Sequence, residues 1–163
     1  MPVFPKGVHF MLVAVFSDSH GDTEPMRWAI EELRPDVVLH LGDHARDAEE
    51  LCALFPGLDI RSVRGNCDYG SAAPEELCFS LDGVKIYMTH GHKNYVKYSL
   101  DSLGNAAYFS GARLALFGHT HQREYKEMGT LTLFNPGTAG EGGRSCGLLR
   151  IREGSFQCEW KDL

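Results

Sequence analysis

The sequence predicts an α/β (α+β) fold, with two packed, mixed β-sheets forming a β-sandwich flanked by helices. Three observations predict it. The opening third reads strand, helix, strand, helix, strand, an order that implies parallel strands with right-handed crossovers. The remainder is dominated by strands paired around turn residues, and parallel units followed by hairpins suggest two sheets face to face with helices outside. Finally, 163 residues suffice for one domain with a substantial core and are too few for two, so residues 1–163 are expected to form a single domain.

Each element follows from local pattern. The apolar run Met11–Phe16 reads as a buried strand. Asp22 or Thr23 is placed to cap a helix through about Leu33, with Met26, Ile30 and Leu33 on one face, and Pro35 ends it. Val37–Leu41 is the next strand, Asp43–Leu54 a second helix closed by Pro56-Gly57, and Leu58–Val63 a third strand. Leu77–Leu81 and Val84–Met88 flank Asp82-Gly83, a hairpin signal. Tyr95–Phe109 has helical spacing, with Leu100, Leu103 and Ala107 nearly in register. Strands are then expected at Arg113–Phe117, at Glu124–Met128 and Leu131–Phe134 around Gly129, and at Leu148–Arg152 and Phe156–Trp160 around Glu153-Gly154.

The composition, 43% hydrophobic and 23% charged, is that of an ordinary soluble protein. A net charge of -6 with scattered Lys and Arg argues against nucleic acid as a partner. The segment Met1–Phe16 carries Pro2, Pro5 and His9 and lacks a basic region followed by a long apolar core. It reads as neither signal peptide nor membrane span, so a cytoplasmic location is expected. The five cysteines are widely spaced without a Cys-x-x-Cys pair. Cys52, Cys78, Cys146 and Cys158 are therefore expected as buried, reduced thiols, and Cys67 stands apart.

Six polar signatures punctuate the chain: Asp18-Ser19-His20-Gly21, Gly42-Asp43, Gly65-Asn66-Cys67-Asp68, His90-Gly91-His92, Gly118-His119-Thr120-His121 and Asn135-Pro136-Gly137. Each follows an expected strand. The carboxyl edge of parallel strands is where open α/β folds put their chemistry. Side chains at i and i+2 of extended backbone point the same way, so Asp18 with His20, and His119 with His121, can each share an ion. His90 and His92 have the same spacing, and geometry does not choose between them. Asp43 is a candidate to bridge two ions, and Asn66 offers a neutral amide oxygen. Six of the eight histidines (His20, His44, His90, His92, His119 and His121) lie at or beside strand ends, whereas His9 and His40 read as structural. The mixed nitrogen and oxygen set suits manganese, iron, zinc or nickel better than calcium or magnesium.

The ordered set Asp-x-His, Gly-Asp, Gly-Asn, His and Gly-His-x-His resembles the calcineurin-like metallophosphoesterases. The Gly-Asn-Cys-Asp variant, the short length and the Asn-Pro-Gly resemble the family's small bacterial and archaeal phosphodiesterase branch. The resemblance spans about Met11 to Trp160 and implies a double β-sandwich with a two-metal centre. One ion would be held by Asp18, His20, Asp43 and His121, the other by Asp43, Asn66, His90 and His119, with manganese the expected metal.

Two divalent cations bring +4, and Asp18 with Asp43 bring -2. A bridging hydroxide and a phosphodiester monoanion would neutralise the remainder, consistent with in-line attack on a small phosphoester. One departure matters: many relatives carry His where this chain has Cys67, a poor proton donor at neutral pH. Cys67 is read either as a packed thiol or in a direct role, and His92 or a metal-bound water is expected to replace the missing donor. His44 is expected to face away or line the pocket. Arg46, Arg64 and Lys93 are read as solvated charges or phosphate contacts. The family also includes a retromer subunit that serves as a binding platform, so a non-catalytic scaffold is the alternative of a different class. A phosphomonoesterase or nucleotide phosphatase is the alternative within the same chemistry. No base-stacking motif is visible, and a homo-oligomer is compatible with the sequence.

Overall fold

The computed structural model describes residues 3–163; Met1 and Pro2, which belong to the segment read above for a leader, lie outside the described residues. The strands are β1 (Met11–Phe16), β2 (Val37–His40), β3 (Asp59–Ser62), β4 (Glu76–Leu81), β5 (Val84–Thr89), β6 (Leu114–Leu116), β7 (Arg123–Met128), β8 (Leu131–Pro136), β9 (Ser145–Arg152) and β10 (Ser155–Asp162). The helices are α1 (Glu24–Leu33), α2 (Ala45–Leu54) and α3 (Asp101–Phe109), with a 3₁₀ turn at His92–Asn94. One five-stranded sheet runs β10-β9-β1-β2-β3 and the other β4-β5-β6-β8-β7. Both are mixed: β1, β2 and β3 are parallel, as are β5, β6 and β8, and hairpins supply the antiparallel strands.

The apolar runs are continuous because both faces of the central strands are covered. Along β1, Val13 and Val15 join the layer between the sheets, where Leu39, Ile86, Met88, Leu114, Leu116, Phe134 and Leu149 meet them. Ala14 and Phe16 project oppositely and pack against Met26, Ala29 and Ile30 of α1 and Leu51 of α2, the two-residue period of a strand. On the outer face of the second sheet, Tyr87, Ala115 and Leu133 are covered by Leu103 and Ala107 of α3.

Several expectations need correction. The helix expected over Tyr95–Phe109 begins only at Asp101. Tyr95 sits at φ 54, outside helical space, and the helix takes Leu100 as its N-cap without a side-chain cap bond, Ser99 Oγ accepting the Asp101 amide at 3.1 Å just before it. Thr23 precedes α1, but its hydroxyl makes no cap bond and instead donates to Glu50 Oε1 at 3.0 Å. Of the four cysteines expected to be buried, Cys146 and Cys158 are, whereas Cys52 and Cys78 are exposed, and none is in a disulfide. Cys78 faces outward because its strand β4 is an edge strand with alternating exposure.

The parallel strands of both sheets deliver their carboxyl ends to one rim, so loops distant in sequence meet there. A cavity of about 600 Å³ between the ends of α1 and α2, near Arg34 and Leu54, lies at the opposite edge.

Candidate metal centre

The rim loops bring six of the seven expected ligands into two groups. Asp18, His20 and His121 have ligand atoms within 4.8 Å of one another, and so do Asp43, His90 and His119. Asp18 is wholly buried. Its Oδ2 accepts from Ser17 Oγ at 2.5 Å and from the His119 amide at 3.1 Å. Its Oδ1 is buried and accepts no hydrogen bond. Around that oxygen stand His121 Nε2 at 3.1 Å, His90 Nε2 at 3.8 Å and His20 Nε2 at 4.0 Å. A buried carboxylate oxygen without a donor is costly, and a cation is the partner that both it and neutral imidazole nitrogens can share.

The second group is equally poised. Asp43 Oδ1 accepts the Cys67 amide at 2.9 Å, leaving Oδ2 3.4 Å from His90 Nε2. His90 Nδ1 donates to the Leu41 carbonyl at 2.8 Å, which orients Nε2 toward the rim as outer hydrogen bonds do for metal-ligating histidines. Burial raises the Asp43 carboxyl, but its contacts with His90 and Cys67 outweigh that and hold it below the usual carboxylate range. Burial, and then neighbouring His90, push the His119 imidazole down to about 4, so it is neutral and ligand-competent at pH 7.

Ligand convergence has a different cause from extended alternation. Asp18, His20, Asp43, His119 and His121 all have positive φ, between 48 and 69. Left-handed backbone costs a non-glycine residue roughly 1–2 kcal/mol and concentrates at functional sites. The surrounding loops hold that strain by close approach: a Cβ on Gly65 would lie 2.0 Å from Asp43 Oδ1, and one on Gly118 2.0 Å from Ser17 Oγ.

The other expected residues fall around this core. Asn66 is exposed, with Nδ2 donating to Cys67 Sγ at 3.5 Å. Cys67 is exposed, and burial and then a hydrogen bond to Asp43 push its thiol up; both its amide and its thiol contact Asp43. The His92 ring is 5.5 Å from His90 and 6.2 Å from His119, with Nδ1 buried and unbonded. His44 lines a trough with Arg46 and Cys67 and approaches Asp47 Oδ1 at 3.3 Å. Arg64 and Lys93 both pair with Glu75, at 2.7 and 2.5 Å.

The sequence reading missed a bracing layer. Asp68 accepts three amides, those of Asp43 (2.9 Å), Gly65 (2.7 Å) and Ala45 (2.8 Å), stapling two loops together. Asn135 Nδ2 donates to the Gly118 carbonyl and Thr120 Oγ1, and Thr138 Oγ1 donates to the Asp18 carbonyl. His40 Nδ1 accepts the Gly42 amide at 3.1 Å, placing the proton on Nε2, which donates to Ser19 Oγ at 2.9 Å. Ser19 in turn donates to Asp47 Oδ2 at 2.6 Å. The Asn-Pro-Gly, Gly-Asn-Cys-Asp and Asp-Ser-His-Gly motifs carried a signal for Asn135, Asp68 and Ser19; Asp47 carried none.

Burial lowers the His40 imidazole to about 4, against the pull of Asp47 and Asp18. In the unfolded chain a histidine titrates near 6.5, so the unfolded state binds the proton first. His40 therefore contributes fully above about pH 6.5, and its contribution is lost as pH falls toward 4. Urea unfolding of chelator-treated protein should show stability dropping across that window. His40→Gln should lack roughly one proton's worth of that slope, and an identical slope would refute the assignment.

Comparison with known proteins places this geometry. Residues 11–154 match the model of the calcineurin-like phosphoesterase superfamily domain. The probable metallophosphoesterase YsnB of Bacillus subtilis is 32% identical over 131 residues, covering 78% of this chain and 75% of that protein. A phosphodiesterase of Methanocaldococcus jannaschii is 25% identical over 149 residues, 78% of this chain and 83% of that one. A predicted phosphoesterase of Streptococcus pneumoniae superposes with a TM-score of 0.78 at 27% identity, covering 96% of this chain and 91% of that one. Vps29 of Entamoeba histolytica shares the fold, with a TM-score of 0.73 at 24% identity over 94% of this chain and 99% of that one. The chain belongs to the calcineurin-like phosphoesterase superfamily.

Proposed function

We propose that the protein is a metal-dependent phosphodiesterase that acts in the cytoplasm on a small phosphoester. The observation that carries this reading is the buried, unbonded Asp18 Oδ1 ringed by three imidazole nitrogens. Two divalent ions fit the donors, one at Asp18, His20, Asp43 and His121, the other at Asp43, Asn66, His90 and His119. Mixed imidazole, carboxylate and amide donors favour manganese, with iron, zinc or nickel as the other candidates. Bound there, the ions supply an activated water and positive charge for the phosphoryl oxygens.

The protein's own residues do the rest. Asp43, fixed by the Cys67 amide, and His90, fixed by Leu41, hold the donors without rearrangement. The carboxylates leave a net charge that a diester monoanion and the nucleophile would neutralise. The Methanocaldococcus phosphodiesterase supports the same preference. Hydrolysis of bis-para-nitrophenyl phosphate with added manganese is the test: turnover abolished by chelator is expected, and no turnover with any divalent metal would overturn the reading. A phosphomonoesterase would instead favour para-nitrophenyl phosphate. A scaffold would turn over neither, and six converging ligand-competent side chains speak against it.

His92 is the proposed proton donor in place of Cys67, because its ring borders the second ligand group and lines an open trough with Asn66. General acids contribute about 10²–10⁴-fold. His92→Ala should therefore slow an alkyl diester about 100-fold and an aryl diester, with its good leaving group, under about 10-fold. Equal losses on both would remove the acid role.

A further inference from the structure

The rim beside Asn66 and Cys67 carries two open troughs, of about 340 and 240 Å³, and Tyr69 lines both. Isolated exposed aromatics are ordinary on protein surfaces. Tyr69 differs in its place on a bonded turn at the rim. It is 94% exposed one residue beyond Asp68, whose carboxylate accepts the amides of Asp43, Gly65 and Ala45. Ser71 closes the turn by donating its amide to the Asp68 carbonyl at 3.3 Å, and Gly70 takes φ 74. A glycine with positive φ at the third position of a four-residue turn leaves the second side chain, here Tyr69, projecting from a fixed backbone. The backbone that carries Tyr69 is thus held through the same carboxylate that positions the Asp43 backbone. Arg46, on the wall of the larger trough, is exposed and makes no ion pair or hydrogen bond among the described residues.

An exposed flat π-face with a guanidinium on the same trough wall is what proteins use to stack a nucleobase beside a phosphate. We infer that Tyr69 is a specificity-determining platform, and that the preferred substrate is a phosphodiester with a nucleoside arm, stacked on Tyr69 while the phosphate lies at the metal centre. The inference rests on the phosphodiesterase reading above. The acidic net charge of -6 favours a nucleotide-sized ligand over a nucleic-acid polymer.

The test compares two monoanionic diesters with one leaving group, thymidine para-nitrophenyl phosphate and methyl para-nitrophenyl phosphate. Stacking one base predicts that the wild-type ratio of kcat/KM, nucleoside over methyl, is about 10-fold or more. Tyr69→Ala should collapse that ratio toward unity, and Tyr69→Phe should keep it within about 3-fold, since the π-face remains. A wild-type ratio near unity, a ratio unmoved in Tyr69→Ala, or an equal loss in Tyr69→Phe would overturn the inference. If neither ester turns over, the phosphodiesterase reading fails by itself, and calorimetry with thymidine monophosphate and methyl phosphate decides about Tyr69. Tighter binding of the nucleotide that is lost in Tyr69→Ala supports the platform; equal affinities refute it.

Discussion

Asp43→Asn is expected to lower manganese-supported diester hydrolysis by more than about 100-fold, the upper end of the loss when a residue outside the ligand set is removed. The reason is charge and position together. Asp43 is the one carboxylate proposed to touch both ions, and its Oδ2 lies 3.4 Å from His90 Nε2. The amide oxygen of Asn can still accept from the Cys67 amide, now 2.9 Å from Oδ1. The loop that Asp68 staples is therefore preserved, and the variant should fold with an unchanged circular dichroism spectrum. A steady-state assay at saturating manganese checks it, and retention of a tenth or more of wild-type kcat would remove Asp43 from the bridge.

Asp18→Asn is expected to abolish the stabilisation that metal gives the wild-type protein. Ligand at about 100 times its Kd adds about 2.7 kcal/mol, which at this chain length raises Tm by roughly 5–10 °C. In the variant the amide oxygen can keep the bonds from Ser17 and the His119 amide. The amide NH₂ then replaces the unbonded Oδ1 among the imidazoles of His20, His90 and His121. That exchange puts a donor among acceptors. With chelator present, Asp18→Asn should consequently melt no lower than wild type, while added manganese should move its Tm by under about 2 °C. Differential scanning calorimetry with and without manganese reads both arms, and a wild-type-sized shift in the variant would contradict the role of Asp18.

What the sequence disclosed was whatever depends on period and order. Buried parallel strands show as unbroken apolar runs, so β1 and β2 were legible, and Asp82-Gly83 and Glu153-Gly154 marked hairpins that the structure contains. The ligand-bearing motifs were legible because they stop those runs with Asp, Asn and His. How the ligands converge was not. Asp18, His20, His119 and His121 meet through left-handed backbone, a conformation that Asp and His do not announce as Gly does. The bracing contact of Ser19 with Asp47 was hidden for another reason: a serine within a motif and a helix-borne aspartate 28 positions apart show no sign of pairing until the chain is folded. The start of α3 was misplaced because helical spacing continues back to Tyr95, whereas that residue's left-handed backbone keeps it out of the helix.

The account stands on two ions held at one rim by these side chains. Elemental analysis of protein loaded with manganese and then freed of unbound ion tests this most directly. Close to two manganese ions per chain is the predicted result; one or none would contradict the dinuclear centre.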